Sequence, residues 1–354
     1  MCSRLLEIGF TDVRIDEVGN VVGWLPSTAE PRDPRPVVIA AHLDTVFSAE
    51  CPIPVRAVGR RISAPGICDN ARGLAGILTL AQTMIRSGLE TQHPILFTAT
   101  VGEEGTGDLR GVKHLFREGS ALRGAAAFIA VDGPGRDRIV NRAIGSLRYH
   151  AAITGAGGHS WGDRGMANAV HAMGLAIARL RAVAAKAEAE AGAEAALNVG
   201  RLGGGTSINS IPEQAWMEID LRGANRIALL RTERAALEAI EFAVSEENRA
   251  TKGRGSLTLE VTRIGDRPAG ETPADSALVQ SAIAATHSVG GTPGLVASST
   301  DANVPISLGI PAIAIGAGGM GGRTHTLDEW YEDDGGPLGI ARAALVVYSA
   351  AGVL

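Results

Sequence analysis

The sequence has few cysteines: three in 354 residues, at positions 2, 51 and 68. Their odd number and wide spacing argue against a disulfide framework, and the lack of a C-x-x-C pair excludes a zinc site built from cysteine alone. A chain with this cysteine usage suits a reducing compartment, so we expect the protein in the cytoplasm.

Long apolar and long basic stretches are also missing. No apolar run approaches the roughly 20 residues that a membrane helix needs, and residues 1–10 lack the apolar core and cleavage site of a signal peptide. The formal net charge is -5 at pH 7, without a basic cluster. We therefore expect neither a membrane nor a nucleic acid as partner. Hydrophobic residues make up 45% and charged residues 20%, as in ordinary globular proteins.

What the sequence does contain is a set of short apolar runs that end in acidic or histidine residues. The run 94–101 leads into Glu103 and Glu104. Neighbouring residues at a strand end point in different directions, so these two carboxylates can have different roles. Three further runs end in the same way: 36–41 in His42 and Asp44, 125–131 in Asp132, and 311–315, after a glycine-rich loop, in His325.

Helical patterns at 74–85, 274–285 and 339–351 lie between or after these runs. Alternating strands and helices predict a mostly parallel sheet, whose ligand site lies outside the carboxyl ends of the strands. The histidine and acidic side chains can therefore meet at one edge. Such a set of ligands suits Zn²⁺ and also accepts Mn²⁺ or Co²⁺.

Two details of these motifs have alternative interpretations. Asp69 and Asn70 precede the helix predicted at 74–85, where either side chain can serve as the N-cap or a carboxylate can bridge metals. His42 and Asp44 are two apart, which places both side chains on one face of a strand end. A metal-bound histidine commonly donates its second ring N–H to a carboxylate, and a surface pair is the alternative.

The start of the chain is predicted to be helical. Residues 2–8 resemble the end of a helix that Gly9 stops, so we expect the natural start to lie upstream. Residues 13–15 and 21–25 predict a pair of strands that turns at Gly19 and Asn20.

The middle of the chain, 145–266, is predicted to be a second domain inserted into the first, which comprises 1–144 and 267–354. An Ala/Glu-rich stretch at 183–197 predicts an exposed helix end or connector. The other predicted elements are strands at 148–154, 198–202, 214–221 and 256–264 and helices at 168–182 and 226–243. Their order, β-α-β-β-α-β, is ferredoxin-like. The predicted fold class is α/β: a mostly parallel sheet sandwiched by helices, with an inserted ferredoxin-like α+β domain.

Residues 158–162, GHSWG, match the G-x-S-x-G nucleophile elbow of serine hydrolases. Asp301 and His325 follow Ser160 in the order of a catalytic triad. An elbow requires a strand that runs directly into the serine and a helix that leaves at once, whereas glycine-rich and polar residues flank this serine. A serine hydrolase is therefore the alternative hypothesis, and it leaves the acidic residues at the strand ends without a role.

Taken together, the motifs resemble the dinuclear zinc aminopeptidase, carboxypeptidase and aminoacylase family, with the peptidase T-like branch the most similar. The resemblance covers nearly the whole chain. The motifs that carry it are His42-x-Asp44, Gly66-x-x-Asp69-Asn70, Glu103-Glu104, Asp132-Gly133, His325 and, in the inserted segment, the stretches 158–160 and 205–212.

This resemblance implies two Zn²⁺ ions per subunit and a zinc exopeptidase-like fold. Asp69 would bridge the two ions. The remaining ligands would be His42 and Asp132 at one ion, and Glu104 and His325 at the other.

The resemblance also implies roles beyond the metal. Glu103 would be the general base that acts on the bridging water, and Asp44 would orient the histidine of the first site. His159 would reach the active site of a partner subunit and help to stabilise the oxyanion, in a homodimer formed through the inserted domain. Asn209 and Arg222 would bind a substrate carboxylate, with a surface salt bridge as the alternative for Arg222.

The implied activity is hydrolysis of an amide bond in a small peptide by a dipeptide or tripeptide exopeptidase. A deacylase of N-acyl amino acids on the same scaffold is the alternative. A third hypothesis is a non-catalytic binding module that has kept the fold. Every ligand position holds a competent residue, which argues against this third hypothesis.

Overall fold

The computed structural model describes residues 1–27, 30–190 and 195–354. They form two compact units: Met1–Ala143 together with Gly270–Leu354, and Ile144–Ala269. The stretch predicted at 183–197 lies partly outside the described residues.

The helices and strands of the described residues are numbered here in chain order. The helices are α1 (Cys2–Ile8), α2 (Gly73–Ser87), α3 (Arg110–Leu115), α4 (Ala169–Glu190), α5 (Arg226–Ala250), α6 (Ala277–Ser288), α7 (Asn303–Ser307) and α8 (Gly336–Ala351). The strands up to Thr154 are β1 (Thr11–Ile15), β2 (Val21–Trp24), β3 (Val37–His42), β4 (Arg56–Val58), β5 (Arg61–Ser63), β6 (Ile95–Thr100), β7 (Ala127–Val131), β8 (Arg138–Ala143) and β9 (Gly145–Thr154). The later strands are β10 (Gly158–His159), β11 (Ala195–Gly204), β12 (Ser210–Ile211), β13 (Gln214–Gly223), β14 (Thr258–Arg267), β15 (Gly270–Glu271), β16 (Gly294–Ser298), β17 (Ala312–Ile315), β18 (Met320–Gly322) and β19 (Trp330–Glu332). Among the helices described, none has both the length and the apolar character to cross a membrane.

The first unit is built on a nine-stranded sheet with the order β1-β2-β6-β3-β7-β17-β8-β15, in which β16 also pairs with β8. The four adjacent strands β6, β3, β7 and β17 run parallel. Antiparallel strands extend the sheet on both sides. This arrangement confirms the predicted α/β class with a mostly parallel central sheet.

The central strands are apolar without interruption because both faces of the sheet are covered. Val37 and Ile39 pack in a core with residues of α2, α6 and α8. Val38 and Ala40 point the opposite way and pack with residues of α3 and α7. Burial of a large apolar side chain contributes about 1.5–3 kcal/mol, so this double core holds the strand ends in fixed positions.

Glycines end two helices of this unit. Gly9 has φ 102° and its N–H bonds to the carbonyl oxygens of Leu5 and Leu6, which confirms the predicted stop of the first helix. Gly88 has φ 62° and ends α2 in the same left-handed conformation. Residues with side chains rarely adopt this conformation, so glycine suits both positions.

A second, four-stranded sheet of the first unit has the order β18-β19-β5-β4. Strands β18 and β19 form an antiparallel hairpin, and β19 pairs with β5. Residues 323–329 connect the two strands of the hairpin, while β5 runs on into the segment that carries Asp69. This small sheet therefore brings the loop of His325 beside the segment of Asp69.

The second unit has an antiparallel sheet of order β11-β13-β9-β14. Alternate residues of its strands, among them Leu147, Tyr149 and Met217, are buried with residues of α4 and α5. Its main elements follow the order β9-α4-β11-β13-α5-β14, which is the predicted ferredoxin-like arrangement. A short ribbon of β10 and β12 is an addition to this pattern.

Candidate metal centre

The candidate centre lies at the carboxyl end of the parallel strands. His42 is the last residue of β3, Asp132 follows β7, and Glu103 and Glu104 follow β6. Parallel strands end at the same edge of a sheet, and the hairpin of β18 and β19, which follows β17, brings His325 to this edge.

One group of side chains surrounds His42. Its Nε2 atom lies 2.8 Å from Asp69 Oδ1 and 3.9 Å from Asp132 Oδ1. One ligand atom from each of these three residues lies within 4.8 Å of the other two. The imidazole is buried, with 3% of its side chain exposed. These residues can hold one metal ion.

A second group uses the other oxygen of Asp69. His325 Nε2 lies 3.1 Å from Asp69 Oδ2 and 2.9 Å from Glu104 Oε1. One ligand atom from each of these three residues again lies within 4.8 Å of the other two. A third, overlapping group consists of His42, Glu103 and Glu104. Asp69 thus belongs to two groups, with one oxygen directed to each.

The donor atoms of the first group fit a metal ion. His42 Nε2 and Asp69 Oδ1 are buried, and neither has a hydrogen-bond partner of acceptable geometry among the described residues. Buried polar atoms are almost always paired, so two such atoms side by side are suited to share a bound metal ion. Two histidines and three carboxylates are the donors that Zn²⁺, Mn²⁺ and Co²⁺ accept.

A backbone carbonyl orients His42. Its Nδ1 lies 3.0 Å from the carbonyl oxygen of Asp44. Since a carbonyl only accepts, Nδ1 carries a proton, and Nε2 is the ring nitrogen that faces the carboxylates of Asp69 and Asp132. Asp44 thus contacts the imidazole through its carbonyl and not through its carboxylate, whose nearest oxygen lies 3.9 Å from Nδ1.

The carboxylate of Asp44 instead links two loops of the site. It accepts hydrogen bonds from the backbone N–H of Glu103 at 3.1 Å and of Glu104 at 2.8 Å. The turn at the end of β3 directs the carbonyl to His42 and leaves the side chain free to reach the loop after β6. Asp44 therefore holds both glutamates by their backbone.

The N-cap position of α2 is Arg72 and has no side-chain cap, but the side chain of Asn70, and not that of Asp69, bonds to the first residue of this helix. Asn70 Oδ1 accepts hydrogen bonds from the N–H of Gly73 at 3.1 Å and of Gly133 at 3.3 Å, and its Nδ2 donates to Val131 O at 2.9 Å. A Cβ atom on residue 73 would lie 2.0 Å from Asn70 Oδ1, so only glycine fits there. Asn70 thus joins two loops of the site, and the Asp69 carboxylate takes no part in these contacts.

The close carboxylates change the pKa values of both histidines. Burial lowers the pKa of His42, but Asp132 and Asp69 outweigh it and raise that pKa well above its usual value. For His325, burial is likewise outweighed by Glu104 and Asp69, and the pKa is raised. Burial and the charge of Asp69 raise the pKa of Glu104. The metal-free site therefore holds protons readily.

We expect metal binding to release protons and to weaken as the pH falls. Both histidines must be neutral to bind a metal. Because their pKa values are raised in the metal-free protein, protons compete already at a pH above the usual histidine value of about 6.5. Calorimetric titration with Zn²⁺ at pH 6 and pH 8, in buffers of different ionisation enthalpy, measures both effects. Equal affinity at the two pH values and no proton release would contradict this expectation.

Glu329 is a residue of this region that the sequence analysis missed. Its side chain is fully buried, and its carboxylate accepts hydrogen bonds from the backbone N–H of Gly66, Cys68 and Asp69. An acidic residue in a polar loop is normally solvated, and no spacing marks this one as different. Only the hairpin of β18 and β19 places it under the Asp69 segment.

The other predicted site residues lie in the second unit. His159 pairs with Ser210 across the ribbon, and Ser160 N–H donates to Asn209 O at 3.0 Å, so His159 and Asn209 lie close together. Arg222 lies near the end of β13, where its Nε donates to Asp220 Oδ2 at 2.7 Å. Arg222 thus forms a salt bridge, which is the alternative to carboxylate binding that was considered for it from the sequence.

The nucleophile elbow predicted as an alternative around Ser160 is wrong. The serine follows a two-residue strand, β10, and the next helix begins only at Ala169. An elbow requires an immediate transition from strand to helix. Asp301, the proposed acid of that triad, is buried and accepts a hydrogen bond from Thr100 Oγ1.

Comparison with known proteins places the chain in a family. Residues 38–349 match the sequence model of peptidase family M20/M25/M40. Among curated proteins, the chain is 26% identical over 182 residues to YgeY, an uncharacterised protein of Escherichia coli strain K12. That match covers 49% of this chain and 43% of YgeY, less than half the length of the relative.

Three solved structures have a similar fold over 99% of this chain and 91% of their own. The aminopeptidase PepT from Bacillus cereus ATCC 10987 has 23% identity and a TM-score of 0.76. A tripeptidase from Staphylococcus aureus subsp. aureus Mu50 has 21% identity and a TM-score of 0.79. The YxeP protein of Bacillus subtilis, a dinuclear metal-binding peptidase, has 17% identity and a TM-score of 0.68. Since the family match covers most of the chain, this protein belongs to peptidase family M20/M25/M40.

Proposed function

We propose that this protein is an exopeptidase that removes one residue from a dipeptide or tripeptide. It would bind two divalent metal ions for this reaction, with Zn²⁺ as the proposed metal and Mn²⁺ or Co²⁺ as alternatives. The observation that carries the proposal is the pair of ligand groups that share one carboxylate. Asp69 would bridge the ions, His42 and Asp132 would complete one site, and Glu104 and His325 the other. The peptidase folds that the chain resembles support a small peptide as substrate.

The bound ions would supply Lewis acidity, which polarises the scissile carbonyl and makes a water molecule more acidic. In the proposed reaction, Glu103 accepts the proton of the attacking water and delivers it to the leaving amine. Its position supports this role: it is 6% exposed and belongs to a group with the ligands His42 and Glu104. The hydrogen bond from its backbone N–H to Asp44 holds it there.

His159 is proposed to stabilise the oxyanion of the tetrahedral intermediate. Its Nδ1 accepts hydrogen bonds from the backbone N–H of Trp161 and Gly162, both at 3.2 Å. This pattern assigns the proton of a neutral ring to Nε2, which then points outward as a donor. A donor of this kind suits a developing negative oxygen.

The proposal gives the inserted domain two further tasks. Following the resemblance of the motifs, His159 would act on the active site of a partner subunit, in a homodimer formed through this domain. Asn209 lies beside the start of β13 and Arg222 near its end, so in the homodimer each subunit would contribute one of the two to hold the terminal carboxylate of the peptide. The planar guanidinium is suited to this role. The cytoplasmic location stays a prediction from the cysteine content.

Replacement of His159 with alanine is expected to lower kcat by about 10²–10³-fold, the cost of one lost oxyanion donor. The metal content should not change, because no metal ligand is altered. Steady-state kinetics and metal analysis measure both quantities. His171→Ala, in which an exposed histidine of the same unit is removed, is the matched control.

Subunit mixing tests whether His159 acts across a dimer. Neither Glu103→Ala nor His159→Ala has a complete site of its own. If His159 acts across subunits, one of the two sites in each mixed dimer is complete. Random exchange of equal amounts makes about half of the dimers mixed, so about a quarter of the wild-type activity should return. No recovery, although mass spectrometry shows mixed dimers, would contradict the role in the partner site.

A substrate panel tests the proposed function itself. We expect the metal-loaded protein to hydrolyse dipeptides or tripeptides with free termini, and to lose this activity in EDTA. Blocking of one terminus at a time identifies the end from which it cuts. Faster turnover of N-acyl amino acids than of any peptide would instead identify a deacylase.

A further inference from the structure

We propose that Glu329 is a positioning residue that holds the ligands Asp69 and His325 in place for the second metal ion. This inference rests on the proposed function, because it assigns Glu329 a task within the same metal centre. Glu329 touches neither the donor atoms nor the substrate, and it acts through the backbone.

The contacts of Glu329 are directed at the segment that carries Asp69. Its Oε1 accepts hydrogen bonds from Cys68 N at 2.7 Å and Asp69 N at 3.0 Å, and its Oε2 accepts one from Gly66 N at 3.1 Å. The side chain is 0% exposed. Hydrogen bonds from backbone N–H groups to a buried carboxylate are charge-assisted and strong.

The Asp69 segment needs such an anchor. Within the turn Ile67–Arg72, Asp69 and Asn70 have non-helical backbone angles, with φ -122° and -133°. The N–H groups of Gly66, Cys68 and Asp69 lie at the start of this turn, where no preceding turn offers acceptors. The Glu329 carboxylate accepts their hydrogen bonds instead. The hydrogen bond from Asp69 N–H to Glu329 fixes the backbone from which the Asp69 carboxylate projects.

The same residue fixes the loop of His325. Glu329 ends the connection between β18 and β19, four residues after His325, and its N–H donates to Thr326 O at 3.2 Å. Its carbonyl accepts a hydrogen bond from Ala64 N at 3.0 Å. The His325 side chain is 50% exposed, so packing contributes little to its position and the loop geometry decides it.

The two ligand groups differ in how they are held. In the first group, His42 is oriented by the carbonyl of Asp44, and the carbonyl of Asp132 accepts a hydrogen bond from Arg138 at 3.2 Å. Asp69 belongs to both groups, whereas His325, whose loop the buried Glu329 carboxylate ties to the Asp69 segment, belongs only to the second of these groups. Loss of the Glu329 carboxylate should therefore weaken the second site more than the first.

The size of the effect follows from the role of residues behind metal ligands, whose loss commonly lowers metal affinity about 10–100-fold. Glu329→Gln keeps the shape of the side chain but has a single acceptor oxygen, and its NH₂ group would face an N–H donor. Glu329→Ala removes all three hydrogen bonds. The expected order of affinity for the second ion is wild type, then glutamine, then alanine.

The experiment is a Co²⁺ titration of metal-free protein, followed by absorption spectroscopy and by competition with a chromophoric chelator. We expect the Glu329 variants to bind the second Co²⁺ about 10–100-fold more weakly than the wild type does, and the first Co²⁺ with a clearly smaller loss of affinity. Leu80→Ala, a substitution in the buried core of α2, is the control for a loss of stability alone. It should lower the melting temperature but leave both Co²⁺ affinities unchanged.

Two results would overturn the inference. If Glu329→Gln folds and binds both Co²⁺ ions as tightly as the wild type, Glu329 has a structural role only. The same conclusion follows if Leu80→Ala weakens the second site as much as Glu329→Gln does. A wild-type protein that binds fewer than two ions would instead overturn the proposed dinuclear function, together with this inference. The glutamine variant decides the question if the alanine variant does not fold.

Discussion

Replacement of Glu103 with glutamine is expected to lower kcat by about 10²–10⁴-fold, while two metal ions stay bound. Glutamine has nearly the same shape as glutamate but cannot accept the proton of the attacking water. The backbone of residue 103 would still donate to Asp44, so the loop after β6 should keep its position. The loss should therefore fall on the chemical step and leave KM nearly unchanged.

Single-turnover kinetics with a good substrate, combined with metal analysis, tests this expectation. Glu118→Gln is the matched control, since Glu118 is an exposed glutamate outside the three ligand groups. Full activity of Glu103→Gln would remove the proposed base. If Glu103→Gln loses both its activity and one of the two metal ions, Glu103 is a metal ligand. Its place in the group with His42 and Glu104 permits this outcome.

Replacement of Asp69 with asparagine is expected to have an effect of similar size by another route. Asp69 directs one oxygen to each ligand group, so its loss should weaken both metal sites together. Metal ions contribute several kcal/mol of transition-state stabilisation, and we expect activity to fall by at least about 10³-fold. Asp132→Asn and Glu104→Gln should each weaken one site only.

Metal analysis after dialysis against a fixed Zn²⁺ concentration separates these cases. Binding to the folded state alone stabilises a protein by about 2.7 kcal/mol at a ligand concentration 100 times Kd. Added Zn²⁺ should therefore raise the melting temperature of the wild type but not that of Asp69→Asn. Asp275→Asn, at an exposed position, is the control. Two tightly bound ions in Asp69→Asn would exclude a bridging role.

The sequence carried most of the information about the ligands of the candidate site. Uninterrupted apolar runs indicate strands buried on both faces, and such strands occur in parallel sheets. Once the sheet is parallel, His42, Glu103 and Asp132 must lie at the same edge, whatever the details of the loops. The order of elements in 145–266 likewise indicates the ferredoxin-like unit, because the hydrophobic period changes from strand to helix.

The sequence alone did not identify the residues that hold those ligands. Asp44 is two residues from His42, yet its carbonyl orients the imidazole and its carboxylate binds the loop after β6. Asn70 and Asp69 are adjacent and both suit a helix cap, and only the packing against Val131 and Gly133 distinguishes them. In each case backbone direction decides which atom reaches a partner.

By itself, then, the sequence determined the class of fold and the chemistry of the ligands, because apolar periodicity and residue type are local properties. The tertiary structure decided how the ligands are divided into two groups and which side chains position them. Glu329 lies 260 residues from Asp69 along the chain, and no local pattern joins the two. Contacts between distant segments depend on how loops close in three dimensions, which only the folded chain specifies.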